Sequence, residues 1–184
     1  TERERLREVA ELRAAWDGLR AGVPSDAPPD AGEAWAAVGD DLLARWGEKG
    51  RLHHGRTHLR EVLDAVELLG EDGATPEHTR RAALAAWFHD AVHSSGRRRD
   101  APLPDGRTEE EASAALAHDA MTGLVPIEVR DDVVRLVLLT ATHLPDRGDA
   151  VGALLCDADL AVLGASPERY ADYAAAIRVE YAHV

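Results

Sequence analysis

An all-α fold is predicted by three features of the sequence. Apolar residues return at three- and four-residue spacing along almost the whole chain, the pattern of amphipathic helices. No stretch alternates convincingly with period two, and no internal repeat is present, so strands are not expected. Clusters of glycine, proline and charge cut the pattern into segments of helix length. The 184 residues are expected to form one domain over 1–184. In it, N-terminal helices (1–50) lead into a part (51–184) that carries the chemically suggestive motifs.

In the first segment, "ERERLREVAELRAAWDGL", Leu6, Val9, Leu12, Trp16 and Leu19 share one helical face. "PSDAPPDAG" breaks it, and a second helix is read through "EAWAAVGDDLLARW". The loop "GEKGRLHHGR" follows. Thr57 reads as the N-cap of a third helix, "HLREVLDAVELLG", which Gly70 closes. Pro76 suits the first position of a fourth helix, which runs into "AAWFHDAVH" (85–93). A long polar loop, "SSGRRRDAPLPDG" (94–106), precedes helices expected at about 108–121, 126–143, 149–163 and 167–182. In "GASPE", Ser166 caps the last of these and Pro167 starts it.

Composition excludes several classes. Hydrophobic residues make up 45%, too many for a disordered chain. No apolar run approaches the ~20 residues of a membrane span, and no signal or lipidation motif is visible. A single cysteine, Cys156, rules out an internal disulfide, fits a reducing cytoplasm and reads as a core residue. A net charge of -13 opposes binding to a nucleic-acid polymer. It leaves a small phosphorylated substrate open, because a metal ion or a few arginines offset charge locally. No GxxxxGKS loop and no serine-nucleophile motif is present. The chain starts at Thr1 and stops at "EYAHV" in mid-pattern, which leaves room for further residues at either end. Nothing in it speaks to oligomeric state.

The chemistry concentrates in nine histidines. His54 and His58 are four apart, as are His89 and His93, with Asp90 between the latter pair. Residues four apart share a helical face, and neighbours differ by ~100°. His89 and Asp90 can therefore both reach one ion beside the helix, the carboxylate remaining free to bridge to a second. Neutral imidazole plus carboxylate suits Zn, Mn, Fe, Co or Ni. Burying these groups without partners would cost a few kcal/mol each.

With His58, the pair His89-Asp90 and a late aspartate in "DADL", the order H…HD…D resembles the HD-domain superfamily of helical, metal-dependent phosphohydrolases. "HHGRTHL", "WFHDAVH" and "DADLAVLGASPERYADYAAAIRVEY" are similar to the motifs of a group of predicted bacterial HD phosphohydrolases. In that group the corresponding strings are YHxxxHL, WFHDAVY and DADLAxLG…IRxEY. The match covers roughly 50–184. His53 and His93 stand where the group carries tyrosines.

The resemblance implies an HD-type helical bundle and a divalent metal (Mn, Ni, Co, Fe, Mg or Zn), one or two per chain. His58, His89 and Asp90 become ligands. The fourth is Asp159 or Asp157; two residues apart on a helix they differ by ~200°, so only one can easily face the ion. "ADL" around Asp159 favours that residue. Cyclic-nucleotide phosphodiesterases, also HD-type, share "YHxxxH" and "HDxxH". The parallel makes His54 the general acid, beside Asp90 in the catalytic pair, and has His93 hold water near a second metal. Three further groups are candidates for contact with substrate or metal-bound water. They are His143 (similar to "TxxH"), Glu110 (which with Ser113 is similar to "NExxSA"), and the arginines around Arg97, which with Arg98, Arg99 and Arg107 would form an anion-binding lid.

The implied reaction is attack of metal-bound hydroxide on phosphorus in a small phosphate ester, a nucleotide by preference, with His54 protonating the leaving oxygen. Two other readings fit the residues. One is an HD-type di-iron oxygenase using extra histidines; the other is a non-catalytic nucleotide-binding module. His78, His118 and His183 read as surface or structural, and Arg178 with Glu180 as a helix-stabilising pair.

Overall fold

The computed structural model describes residues 1–20, 29–94 and 102–182. The fold is all-α, and no strand occurs among the described residues. Among the described residues eight helices follow one another: α1 (Glu2–Gly18), α2 (Ala31–Trp46), α3 (Arg56–Gly70), α4 (Pro76–Phe88), α5 (Glu109–Met121), α6 (Ile127–Leu139), α7 (Ala150–Asp159) and α8 (Pro167–Glu180). A short 3₁₀ turn, Leu160–Gly164, links α7 to α8. No single described helix is long and apolar enough to cross a membrane.

α4 is the axis. It packs against α3, α6 and α7, while α5 packs on α6 and α1 on α2. Its seven residues from Ala82 to Phe88 are all buried, so this helix meets protein on every side. Four of the seven are alanines, and short side chains let neighbouring backbones come close.

Tryptophans fasten α1 and α2 to this axis. Trp16 and Trp35 stack with ring centroids 4.4 Å apart. Each indole N–H donates to the other's carbonyl, Trp16 Nε1 to Trp35 O at 2.8 Å and Trp35 Nε1 to Trp16 O at 3.3 Å. Both polar handles are thereby satisfied inside the core. Trp46 Nε1 donates to Trp87 O at 2.9 Å, tying α2 to α4.

Several helix ends differ from the sequence expectation. Thr57 does not cap α3: Gly55 is the N-cap, without a side-chain bond. Arg56, the first residue of α3, is anchored by its guanidinium on Leu43 O, at 3.1 and 2.8 Å. Gly70 does not close α3 by a left-handed turn; that conformation is taken by Gly73, at φ 131°. Gly70 is a contact glycine, since a Cβ there would meet Thr79 Oγ1 of α4 at 2.7 Å. α4 stops at Phe88, with His89 as its C-cap, so Asp90 and His93 lie beyond the helix. α6 stops at Leu139, and His143 adopts a left-handed backbone at φ 53°. Thr75, Thr108 and Ser166 accept the capping hydrogen bonds of α4, α5 and α8.

Gly39 lies directly against the tryptophan pair, and a Cβ on it would meet Trp16 Cδ1 at 2.4 Å. Gly39→Ala is therefore expected to lower the unfolding free energy by ~1–2 kcal/mol, overpacking outweighing alanine's better helix propensity. A urea unfolding curve of unchanged or higher midpoint would show instead that the indoles can shift.

Candidate metal centre

The centre grows from the C-terminal end of α4. The last carbonyls of a helix have no partner within it, and here that end is buried. His89 N–H bonds Ala85 O at 2.9 Å, and Ala91 N–H bonds Phe88 O at 3.0 Å. His89 Nδ1 bonds Ala86 O at 2.7 Å, and the Trp46 indole takes Trp87 O. In the turn beyond the helix, the carbonyls of Asp90 and Ala91 accept from the Arg51 guanidinium at 2.6 and 3.0 Å. Arg51 is itself sunk into the protein, 1% exposed at its side chain, and also donates to His54 O and to Glu48. One arginine thus joins the turn after α4 to the loop before α3.

These bonds orient His89. A carbonyl only accepts, so Nδ1 carries the proton and Nε2 faces inward. Nε2 lies 3.3 Å from Asp90 Oδ2 and 3.4 Å from Asp159 Oδ1. Neither contact meets hydrogen-bond geometry, and this buried nitrogen has no hydrogen-bond partner among the described residues. His58 Nε2, from α3, lies 3.0 Å from Asp159 Oδ1, and His143 Nε2 lies 2.7 Å from Asp159 Oδ2. One ligand atom each from His58, His89 and Asp90 falls within 4.8 Å of the others. Burial opposes charge throughout. The Asp90 and Asp159 carboxylates nonetheless raise His89 well above the ordinary imidazole range, and His89 holds both carboxyls well below theirs.

Two imidazole nitrogens and a carboxylate, one nitrogen left bare, make a donor set that could hold a divalent metal ion through His58, His89 and Asp90. Asp159 lies beside them, close to both imidazoles, and could join them. The orienting bond from His89 Nδ1 to a backbone carbonyl is the support that metal-ligating histidines ordinarily have.

A cavity of about 150 Å³ opens over these groups, lined also by His53, His54, Glu110, Thr140, Tyr173 and the apolar Leu160, Val162 and Leu163. His53 is kept neutral, pushed down to about 3 by burial and by His58 and His54. A second cavity, of about 370 Å³, shares His53, His58 and Tyr173 with the first and adds Arg169 and Asp172. Arg169 is held by Glu61, its Nε 2.7 Å from Oε1.

A second buried cluster stands beside the first. His54 Nδ1 lies 2.8 Å from Glu180 Oε1, and His93 Nε2 lies 2.6 Å from the same oxygen. His93 Nδ1 reaches Glu109 Oε2 at 3.0 Å. Burial works against a charge on His93, but its bonds to Glu109 and Glu180 prevail and push it up to about 9. In turn His93 helps hold Glu109, and with His54 holds Glu180, below the usual carboxylate range against burial.

Of the residues singled out in the sequence, His54, His58, His89, Asp90, Glu110, His143 and Asp159 line the first cavity. Asp157 is exposed on α7. His93 sits between two glutamates, and Ser113 Oγ accepts from Val92 N–H at 3.0 Å, pinning the segment after Asp90. Arg97, Arg98, Arg99 and His183 lie outside the described residues, and Arg107 pairs with Asp105 at the surface. Cys156 is buried, its thiol pushed up to about 11 by burial and nearby aspartates. Sequence reasoning missed Arg51, Glu109 and the role of Glu180. The glutamate has one signal, its place in "IRVEY", but a pairing with the nearby Arg178 hides its contact across the fold.

The His93 network gives a pH signature. In metal-free protein, His93 titrates at about 9 when folded, against 6.5 for an ordinary histidine. Its stabilising contribution is full below the unfolded value and is lost as pH rises through the folded one. The advantage of wild type over His93→Gln in unfolding free energy is expected to be greatest near pH ~6 and to shrink by about 2–3 kcal/mol toward pH ~10. Denaturant titrations showing a pH-independent difference would mean that His93 carries no charge in the folded state.

Comparison of the chain with protein-family models, with curated proteins and with solved structures finds no match.

Proposed function

We propose that the chain is an HD-type, metal-dependent phosphohydrolase acting on a small phosphate ester of the nucleotide class. The observation that carries this reading is the bare Nε2 of His89, buried and turned toward Asp90, Asp159 and His58. An orphaned donor or acceptor in a protein interior costs about 1–3 kcal/mol, and a cation bound at this point removes that cost.

When bound, the ion supplies Lewis-acid polarisation of a phosphoryl oxygen and a water acidified toward neutral pH. The chain's own residues do the rest. His54 lines the cavity with Nδ1 committed to Glu180, so Nε2 remains to deliver a proton to the leaving oxygen. Leu160, Val162 and Leu163 shield one side from bulk water. The adjoining cavity, with the Tyr173 ring and the Arg169 guanidinium, suits a flat or anionic remainder of the substrate.

His143, 2.7 Å from Asp159, adds a third imidazole and favours one alternative, a di-iron oxygenase. Metal analysis by mass spectrometry on purified protein separates the possibilities. At least one equivalent of a divalent metal is expected, lost in His89→Ala/Asp90→Ala, with phosphatase activity supported by that metal. Iron with oxygen consumption and no phosphate release would support the oxygenase, and metal with neither activity a binding module. No metal, and no thermal stabilisation by added Mn, Ni, Co or Mg, would end the enzymatic reading.

His54→Ala is expected to keep its metal and lose hydrolysis by ~10²–10⁴-fold. Retained turnover on an unactivated ester would remove His54 as the proton donor.

A further inference from the structure

α8 buries a single residue, Glu180. A helix normally docks by covering apolar side chains. This one inserts a carboxylate, fully shielded at its side chain, whose desolvation costs several kcal/mol unless donors surround it. Four do. Oε2 accepts the backbone N–H groups of Leu52 at 3.0 Å and His53 at 2.7 Å. Oε1 receives His54 Nδ1 and His93 Nε2. Three of the four donors belong to the loop that carries His54, and the fourth, His93, is fixed from behind by Glu109.

From this geometry we infer that Glu180 is a positioning residue: it fixes the ring plane of His54 and keeps hydrogen on Nδ1, and so turns Nε2 toward the cavity. The inference rests on His54 as proton donor, proposed above. An ionised carboxylate only accepts, so a nitrogen 2.8 Å away must carry hydrogen. In the step served, a water oxygen bonds to phosphorus and the bond from phosphorus to the leaving oxygen breaks. The His54 imidazolium gives its Nε2 proton to that oxygen and is left as the neutral imidazole, with Nδ1–H still on Glu180. The proton given up by water returns through solvent to Nε2 and restores the imidazolium.

The same three groups, His54, His93 and Glu180, are close enough to hold a metal ion. Their bonding argues for the positioning role. Every facing atom here has a hydrogen-bond partner, whereas at the neighbouring centre one nitrogen has none.

The test uses the full chain, wild type against Glu180→Gln, a substitution of the same shape. Metal content, hydrolysis of phenyl phosphate and of p-nitrophenyl phosphate, and the ring ¹⁵N–¹H spectrum of His54 are measured. Phenoxide needs protonation to leave and p-nitrophenoxide needs little. The expected result is unchanged metal, kcat on phenyl phosphate lower by ~10²-fold or more with KM little moved, and p-nitrophenyl phosphate much less affected. The His54 Nδ1–H signal should shift or vanish. Equal losses on both esters with an unaltered His54 signal would reduce Glu180 to a fold-holding residue. Loss of metal would overturn the positioning role in favour of a second metal site. If wild type cleaves neither ester, the phosphohydrolase reading fails, and the His54 spectrum alone decides whether Glu180 sets the ring.

Discussion

A buried helix end has to find partners for its carbonyls, and much of this molecule is arranged around that demand at the end of α4. Four groups answer it, the backbone N–H groups of His89 and Ala91, the His89 ring and the Trp46 indole, and the Arg51 guanidinium serves the carbonyls of the turn that follows. The answers come from α2, from the loop before α3 and from the turn after α4, so satisfying one helix terminus draws these elements together. The same demand leaves Nε2 of His89 facing inward. The candidate centre is thus a by-product of closing a helix in a place without water.

Two clusters of similar residues then sit side by side with opposite bonding. Around Glu180, every facing nitrogen and oxygen is paired, and the group reads as a scaffold of fixed protons. Around His89, two carboxylates lie close and the ring's buried Nε2 has no hydrogen-bond partner among the described residues. Residue type does not separate the two. The pairing does: one cluster is closed by its own hydrogen bonds and the other keeps an unpaired nitrogen.

The periodic apolar pattern made the helices legible, because each needs a face to bury. His58, His89 and Asp90 were legible because their spacing is local and their surroundings are apolar. The choice between Asp157 and Asp159 needed the phase of α7, which puts the first outside and the second against three imidazoles. His89 and Asp90 were expected side by side on a helix, and they lie instead at its cap and in the turn beyond it. Glu180 could not be read, since its partner His54 lies 126 residues away and no spacing rule spans that distance. Arg51 looked like one more loop charge. Only the fold shows it enclosed, reaching carbonyls 39 and 40 residues ahead.

The tryptophans have a consequence of a different kind. All four are almost fully enclosed, yet they do not share one environment. The Trp46 ring lies 5.4 Å from the His89 ring and 6.3 Å from that of His58, while Trp16 and Trp35 face each other away from any imidazole contact. Indole emission responds to charge and to quenching ions close to the ring. The chain therefore carries two optical probes in one spectrum, one reading the state of the centre and the other the packing of the N-terminal helices.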